Sequence, residues 1–162
     1  RSSRPSTRKP SHFFGDEPKI KWAAQGVTTA QHDPDFLKGG KLIVFDNHHV
    51  ARYNSPRTTC SRIVIYDLAA MGPVWSYSSP DFFTDFAGSQ QRLPNGNVLI
   101  SETRAGTIFE VTPEGRTVWK YRSVNQADRM LGAGQFIGWV RWPERFPRDY
   151  FTEEFQAELD NE

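Results

Sequence analysis

The side chains with reactive chemistry fall in a few short stretches: Gln31-His32-Asp33, Asp46-Asn47-His48-His49, Arg62 just after Cys60, and Glu102-Thr103-Arg104. A neutral imidazole nitrogen is nucleophilic near neutral pH, although a histidine beside a strand is as readily a structural or surface residue. Asp46-Asn47 read first as turn residues ending a strand, the other reading being a pair that orients an imidazole. His48 and His49 invite a metal reading. Adjacent residues of a strand point to opposite faces, however, so the two would not share an ion, and no metal site is expected. Arg62 could clamp an anion or sit in a surface ion pair. Thr103 offers a hydroxyl, and also reads as part of a loop at the inner edge of a sheet. Cys60 is the single cysteine. It excludes an internal disulfide framework and reads as a free thiol with no visible activator.

These residues need elements to hold them. Across 162 residues, 20 Lys+Arg against 19 Asp+Glu give a formal net charge of +1, without the basic excess of a dedicated nucleic-acid binder. Hydrophobic residues make up 37% of the chain and aromatic ones 14%, so large rings must bury much of the core area. No apolar run approaches the roughly 18 residues a membrane helix needs. Residues 1–18 read as an extended basic arm rich in Ser and Pro. After Lys19 come strand-length apolar runs, Leu42-Ile43-Val44-Phe45, Ile63-Val64-Ile65-Tyr66, Val98-Leu99-Ile100 and Thr107-Ile108-Phe109-Glu110-Val111. Between them lie Lys38-Gly39-Gly40-Lys41, Pro94-Asn95-Gly96-Asn97 and Pro113-Glu114-Gly115-Arg116, with Gly96 expected at positive φ in a tight hairpin. This predicts antiparallel sheet.

The segment Leu37–Asp46 matches Leu93–Glu102, 56 residues later, and Ile63–Tyr77 matches Thr107–Tyr121, 44 residues later. The difference places an insertion at residues 47–60. Val74-Trp75-Ser76-Tyr77 and Val118-Trp119-Lys120-Tyr121 close the two copies, and Trp22 looks like the closing residue of an earlier one, which makes all three tryptophans packing residues. A unit of four short strands with a closing aromatic is a β-propeller blade. The expected fold is therefore all-β, about two four-stranded antiparallel blades at 19–77 and 78–124. An irregular C-terminal wrap at 125–162 follows, with a short amphipathic helix from Thr152 to Leu159. Two blades do not close a ring, so the remaining blades are expected from the same protein or another chain.

The ordered set Gln31-His32-Asp33, Phe45-Asp46-Asn47, Ser61–Tyr66, Gly88–Asn97, Ala105–Val111 and Arg141-Trp142-Pro143 resembles the C-terminal part of the arylsulfotransferase family, the PAPS-independent propeller type. The resemblance covers about Lys19 to Tyr150. It implies a six-bladed ring that moves a sulfuryl group between phenols through a sulfurylated histidine, with no cofactor. That histidine matches His32, with Asn47, Arg62 and Thr103 as substrate-binding candidates. It also implies a periplasmic or secreted setting, a phenolic sulfate substrate and His and Arg groups from other blades. The chain departs from the family at His48-His49, where Gly usually follows Phe-Asp-Asn. The alternative is a propeller module of a larger assembly that keeps the fold without turnover. If the chemistry holds, His32 should face the channel with one ring nitrogen hydrogen-bonded and the other free.

Overall fold

The computed structural model describes residues 20, 22–50, 59–125, 136–137 and 139–160. The basic arm, residues 51–58 of the expected insertion and the side chains of His48 and His49 lie outside the described residues. Strands β1 (His32–Leu37), β2 (Lys41–Val50), β3 (Thr59–Asp67) and β4 (Gly72–Tyr77) form one four-stranded sheet. A second contains β5 (Ser89–Arg92), β6 (Val98–Glu102), β7 (Thr107–Val111) and β8 (Thr117–Arg122). Within each of these two sheets every strand pairs antiparallel with its neighbour in sequence, the pattern of a propeller blade. The all-β, two-blade architecture is what the strand-length runs require. β9 (Val124–Asn125) pairs with β10 (Phe136–Ile137), and a 3-10 turn at Arg148–Tyr150 precedes α1 (Glu153–Leu159). Thr152 caps that helix by accepting from the Phe155 N–H.

Glycines set the hairpins. Gly39 and Gly40, at φ 75 and 68, make the tight link between β1 and β2. Between β5 and β6, Gly96 donates to the Leu93 carbonyl at 3.0 Å and Leu93 donates to Asn97 at 2.9 Å. Gly96 has φ 87, so it supplies the left-handed residue after a turn over Pro94-Asn95.

Alternation along the strands builds the core. Ile43, Phe45, Ile63 and Ile65 of the first sheet face Val98, Ile100, Phe109 and Val111 of the second, and all are buried. Phe82, from the connection between sheets, stands edge-on to Phe45 and to Phe109, each at 5.5 Å between ring centroids. Each such side chain contributes roughly 1.5–3 kcal/mol on burial. The other face of the first sheet, Val44, Val64 and Tyr66, lies under residues 22–29, where both Tyr66 and Arg62 donate to the Val27 carbonyl. Residues 139–145 lie on the far face of the second sheet: Ser101 donates to the Val140 carbonyl, and Arg145 pairs with Glu110.

Several local expectations change. Asp46 and Asn47 are not turn residues. They sit inside β2, at 1% and 0% exposure, because pairing with β3 continues past a bulge to His49 and Val50. Trp75 and Trp119 occupy the same place, opposite Ile65 and Glu110, in different surroundings. Trp75 packs on the core and donates to the Pro113 carbonyl at 2.7 Å, whereas Trp119 is 43% exposed, with the Arg145 guanidinium over its ring. The 44-residue spacing fits β4 and β8, but it aligns Ile65 with Phe109, whereas strand pairing makes Ile65 equivalent to Glu110. The link from β7 to β8 is one residue shorter.

Candidate functional site

His32 opens β1, the edge strand of the first sheet. Its Nδ1 lies 2.6 Å from Asn47 Oδ1 and 3.0 Å from the Ala30 carbonyl oxygen. The Asn47 amide nitrogen donates to the carbonyls of Thr84, at 3.0 Å, and Ala87, at 2.6 Å. Those two bonds use both amide hydrogens, so the oxygen must face the imidazole. Both neighbours of Nδ1 are acceptors. Nδ1 therefore carries the proton, and Nε2 holds the lone pair.

Nε2 is not free. It accepts a long hydrogen bond, 3.3 Å, from the Ala87 N–H, which differs from the expectation of one unpartnered nitrogen. The reason is the connection between the sheets: it returns past His32 with Ala87 and Gly88 in left-handed backbone, at φ 58 and 103. Gly88 has no alternative there. A Cβ at that position would meet the Phe45 ring at 2.5 Å.

A cleft of about 210 Å³ opens at this point, lined by His32, Asp33, Gly88, Thr103, Arg141 and Trp142 together with Ala87. Thr103 is 1% exposed, and its hydroxyl oxygen accepts from the Gly88 N–H at 3.1 Å. Among the described residues, Ala30, Asp33, Met71, Ala87 and Trp142 are the non-glycine residues at positive φ. All but Met71 bond to His32 or line its cleft. Left-handed backbone costs a side-chain-bearing residue free energy, and its concentration around one histidine marks a constrained site.

The structure thus brings His32, Asn47 and Thr103 together. Arg62 lies elsewhere, because strand alternation puts Asp46 and Asn47 on opposite faces of β2. Arg62 bonds Asp46 at 2.8 Å, while the other Asp46 oxygen accepts from Thr29. The cation in the cleft is Arg141, whose guanidinium also lies 5.6 Å from the centre of the Trp139 ring. Reading the sequence missed Arg141 and Ala87 as site residues. The run Arg141-Trp142-Pro143 carried a signal, an arginine among exposed aromatics, but Ala87 carried none. Cys60 stays a thiol and takes a contact from the Ser78 hydroxyl.

No helix among the described residues is long and apolar enough to cross a membrane. No curated protein and no solved structure matches the chain. The arylsulfotransferase (ASST) family model matches residues 8–124, a span that holds both sheets, His32, Asn47 and Thr103. With a match over more than two thirds of its length, the chain belongs to the arylsulfotransferase (ASST) family.

Proposed function

We propose that His32 is the sulfuryl-accepting residue of a phenol sulfotransferase. Nε2 attacks the sulfur of an aryl sulfate, the bond from sulfur to the aryl oxygen breaks, and the phenolate leaves with its electron pair. An acceptor phenol then attacks the sulfuryl-imidazole, the N–S bond breaks, and the phenolic proton is released. The observation that carries this reading is the Asn47 amide, which holds His32 in the tautomer whose lone pair is on Nε2. The Ala87 contact to Nε2 is long enough to exchange for sulfur. Arg141 supplies positive charge for the sulfuryl oxygens, and the Thr103 hydroxyl, already accepting from Gly88, has its proton to donate.

In this reading further blades complete a six-bladed ring and supply more His and Arg. The exposure of β8 along its whole length supports a further neighbour. A periplasmic or secreted setting belongs to the same reading, by family analogy.

The full-length protein incubated with 4-nitrophenyl sulfate should carry a sulfuryl adduct on the His32 peptide, seen by mass spectrometry. His32→Ala should abolish both adduct and nitrophenol release with little change in thermal unfolding. The partnering of both ring nitrogens favours a second reading, a propeller module without turnover. Folded wild-type protein that releases no nitrophenol and forms no adduct would establish that second reading.

A further inference from the structure

At the other end of β1 from His32, the two sheets part into a cleft of about 540 Å³. That size falls in the range of small-molecule sites. Strand register shows which side chains turn into it, because directly opposite residues of an antiparallel pair share a face. Leu37 stands opposite Lys41, two residues before Ile43 along β2. Ile43 stands opposite Ile65, and Ile65 opposite Trp75. Ile43 belongs to the core between the sheets, so Leu37, Lys41, Ile65 and Trp75 all turn toward the second sheet. From that sheet, Arg92 stands opposite the core residue Val98 and turns back toward the first. Phe36 and Val74, which also border the cleft, alternate to the opposite face.

Lys38, Lys41 and Arg92 line this cleft, and no carboxylate does. Among the described residues no salt bridge engages any of the three. Lys41 acts on the Asp67 carboxylate by charge alone, while Asp67 Oδ1 accepts from the N–H groups of Ala69 and Ala70. Lys41 and Arg92 are half-buried, and a cation drawn partly out of water gains from a counter-charge. The rest of the wall is apolar. Ile65 and Leu93 are each 4% exposed, and Trp75 has its indole N–H committed to the Pro113 carbonyl, so its ring offers the cleft carbon only. An inorganic anion would leave that wall uncovered, and a neutral ring would leave the cations unpaired. The occupant that answers both carries an apolar ring and a negative end.

We propose that this cleft is a second binding site, separate from His32, for a small aromatic anion of the aryl sulfonate or aryl carboxylate class. The ring lies against Trp75, Ile65 and Leu93, and the anionic group sits between Arg92 and Lys41, with Lys38 adding charge at the mouth. The cleft holds no nucleophile, so the ligand binds there without turnover. Nothing in this assignment rests on the sulfuryl-transfer reading.

Calorimetry on the full-length protein tests it with three probes: naphthalene-2-sulfonate, its neutral isostere naphthalene-2-sulfonamide, and methanesulfonate. The aryl sulfonate carries its sulfur on carbon and has no ester to transfer. It should bind about tenfold tighter than the sulfonamide, the size expected of two partly exposed charge pairs, and more than tenfold tighter than methanesulfonate, which lacks the ring. Lys41→Gln with Arg92→Gln should erase the preference for sulfonate over sulfonamide. Lys41→Arg with Arg92→Lys, which keeps both charges, should retain most of it and so separates lost charge from lost folding. Amide NMR shifts on adding naphthalene-2-sulfonate should cluster at Leu37, Lys41 and Leu93 and spare His32 and Asn47. Equal binding of sulfonate and sulfonamide, a preference that survives the neutral double variant, or shifts centred on His32 overturns the proposal. So does methanesulfonate binding as tightly as the aryl probe. A dimer that excludes the probe and dissolves in the neutral double variant, read by sedimentation, gives the cleft to a second copy of the chain and likewise overturns it.

Discussion

Asn47 decides which nitrogen of His32 holds the lone pair, and it does so from a position with no solvent contact. Removing its amide takes away the preferred acceptor for Nδ1–H, takes a donor from the Ala87 carbonyl and leaves the Thr84 carbonyl with the Ser61 hydroxyl. Asn47→Ala should cost roughly 1–3 kcal/mol in urea unfolding. If His32 carries the proposed sulfuryl transfer, the variant should also slow phenol release by about 10²- to 10⁴-fold, the range seen when a catalytic imidazole loses its orienting partner. The ¹⁵N shifts of His32 should report a mixed tautomer. An unchanged shift pattern with an unchanged rate would show that the Ala30 carbonyl orients the ring alone. Gly88 is constrained by packing as well as by backbone. Gly88→Ala should destabilise by roughly 2–4 kcal/mol, since the added Cβ meets the buried Phe45 ring and adopts left-handed backbone. A stability within experimental error of wild type would mean that Phe45 can turn aside.

The strands and hairpins are the level at which the amino-acid order is most readable. The apolar runs Leu42–Phe45 and Ile63–Tyr66 mark the strands without any distant contact, whereas only packing decides that Ile43, Phe45, Ile63 and Ile65 face the second sheet and Val44, Val64 and Tyr66 the other side. Gly96 shows the same local logic. A Cβ there would approach only Arg92 and Pro113, at 3.6 and 3.7 Å, so the cost of a side chain is the backbone alone. Gly96→Ala should lose about 1 kcal/mol, well short of Gly88→Ala, and Gly96→Val somewhat more. Parallel chemical-denaturation curves of the alanine variants test that order. The register of β7 against β8 was not readable, because one residue fewer in a loop flips the face of a strand without changing its composition.

At the scale of the molecule, two chain segments clasp the pair of blades: residues 22–29 on the first and 139–145 on the second. Glu110 anchors the second clasp. Burial alone would raise its carboxyl, but hydrogen bonds from Asn97, Arg145 and Asn95, with the Arg145 charge, hold it below its ordinary value of 4.5. A carboxyl depressed in the folded state contributes stability that is fully present above its unfolded value and is lost as pH falls through the folded one. The thermal midpoint of the wild type should therefore drop below about pH 4.5. Glu110→Gln should start lower at neutral pH and flatten that part of the curve. Identical slopes in the two proteins would remove Glu110 from the clasp. The exposed Val118, Trp119 and Tyr121 of β8 give the same molecule a face on which isolated blades should associate, read by sedimentation at rising concentration.

Local order in the chain determined the strand content, the glycine hairpins, the two-blade architecture and His32 as the residue to watch, because periodicity and turn chemistry act over a few residues. The tertiary structure alone decided what surrounds that histidine. Asn47 turns its oxygen to His32 because carbonyls 37 and 40 residues away hold its nitrogen. Arg141 and Trp142 reach the cleft from the far end of the chain, while Arg62, close in sequence, is turned to the opposite face by strand alternation. A hydrogen bond recognises the atom that folding brings near, and nothing in the spacing of residues records which atom that will be.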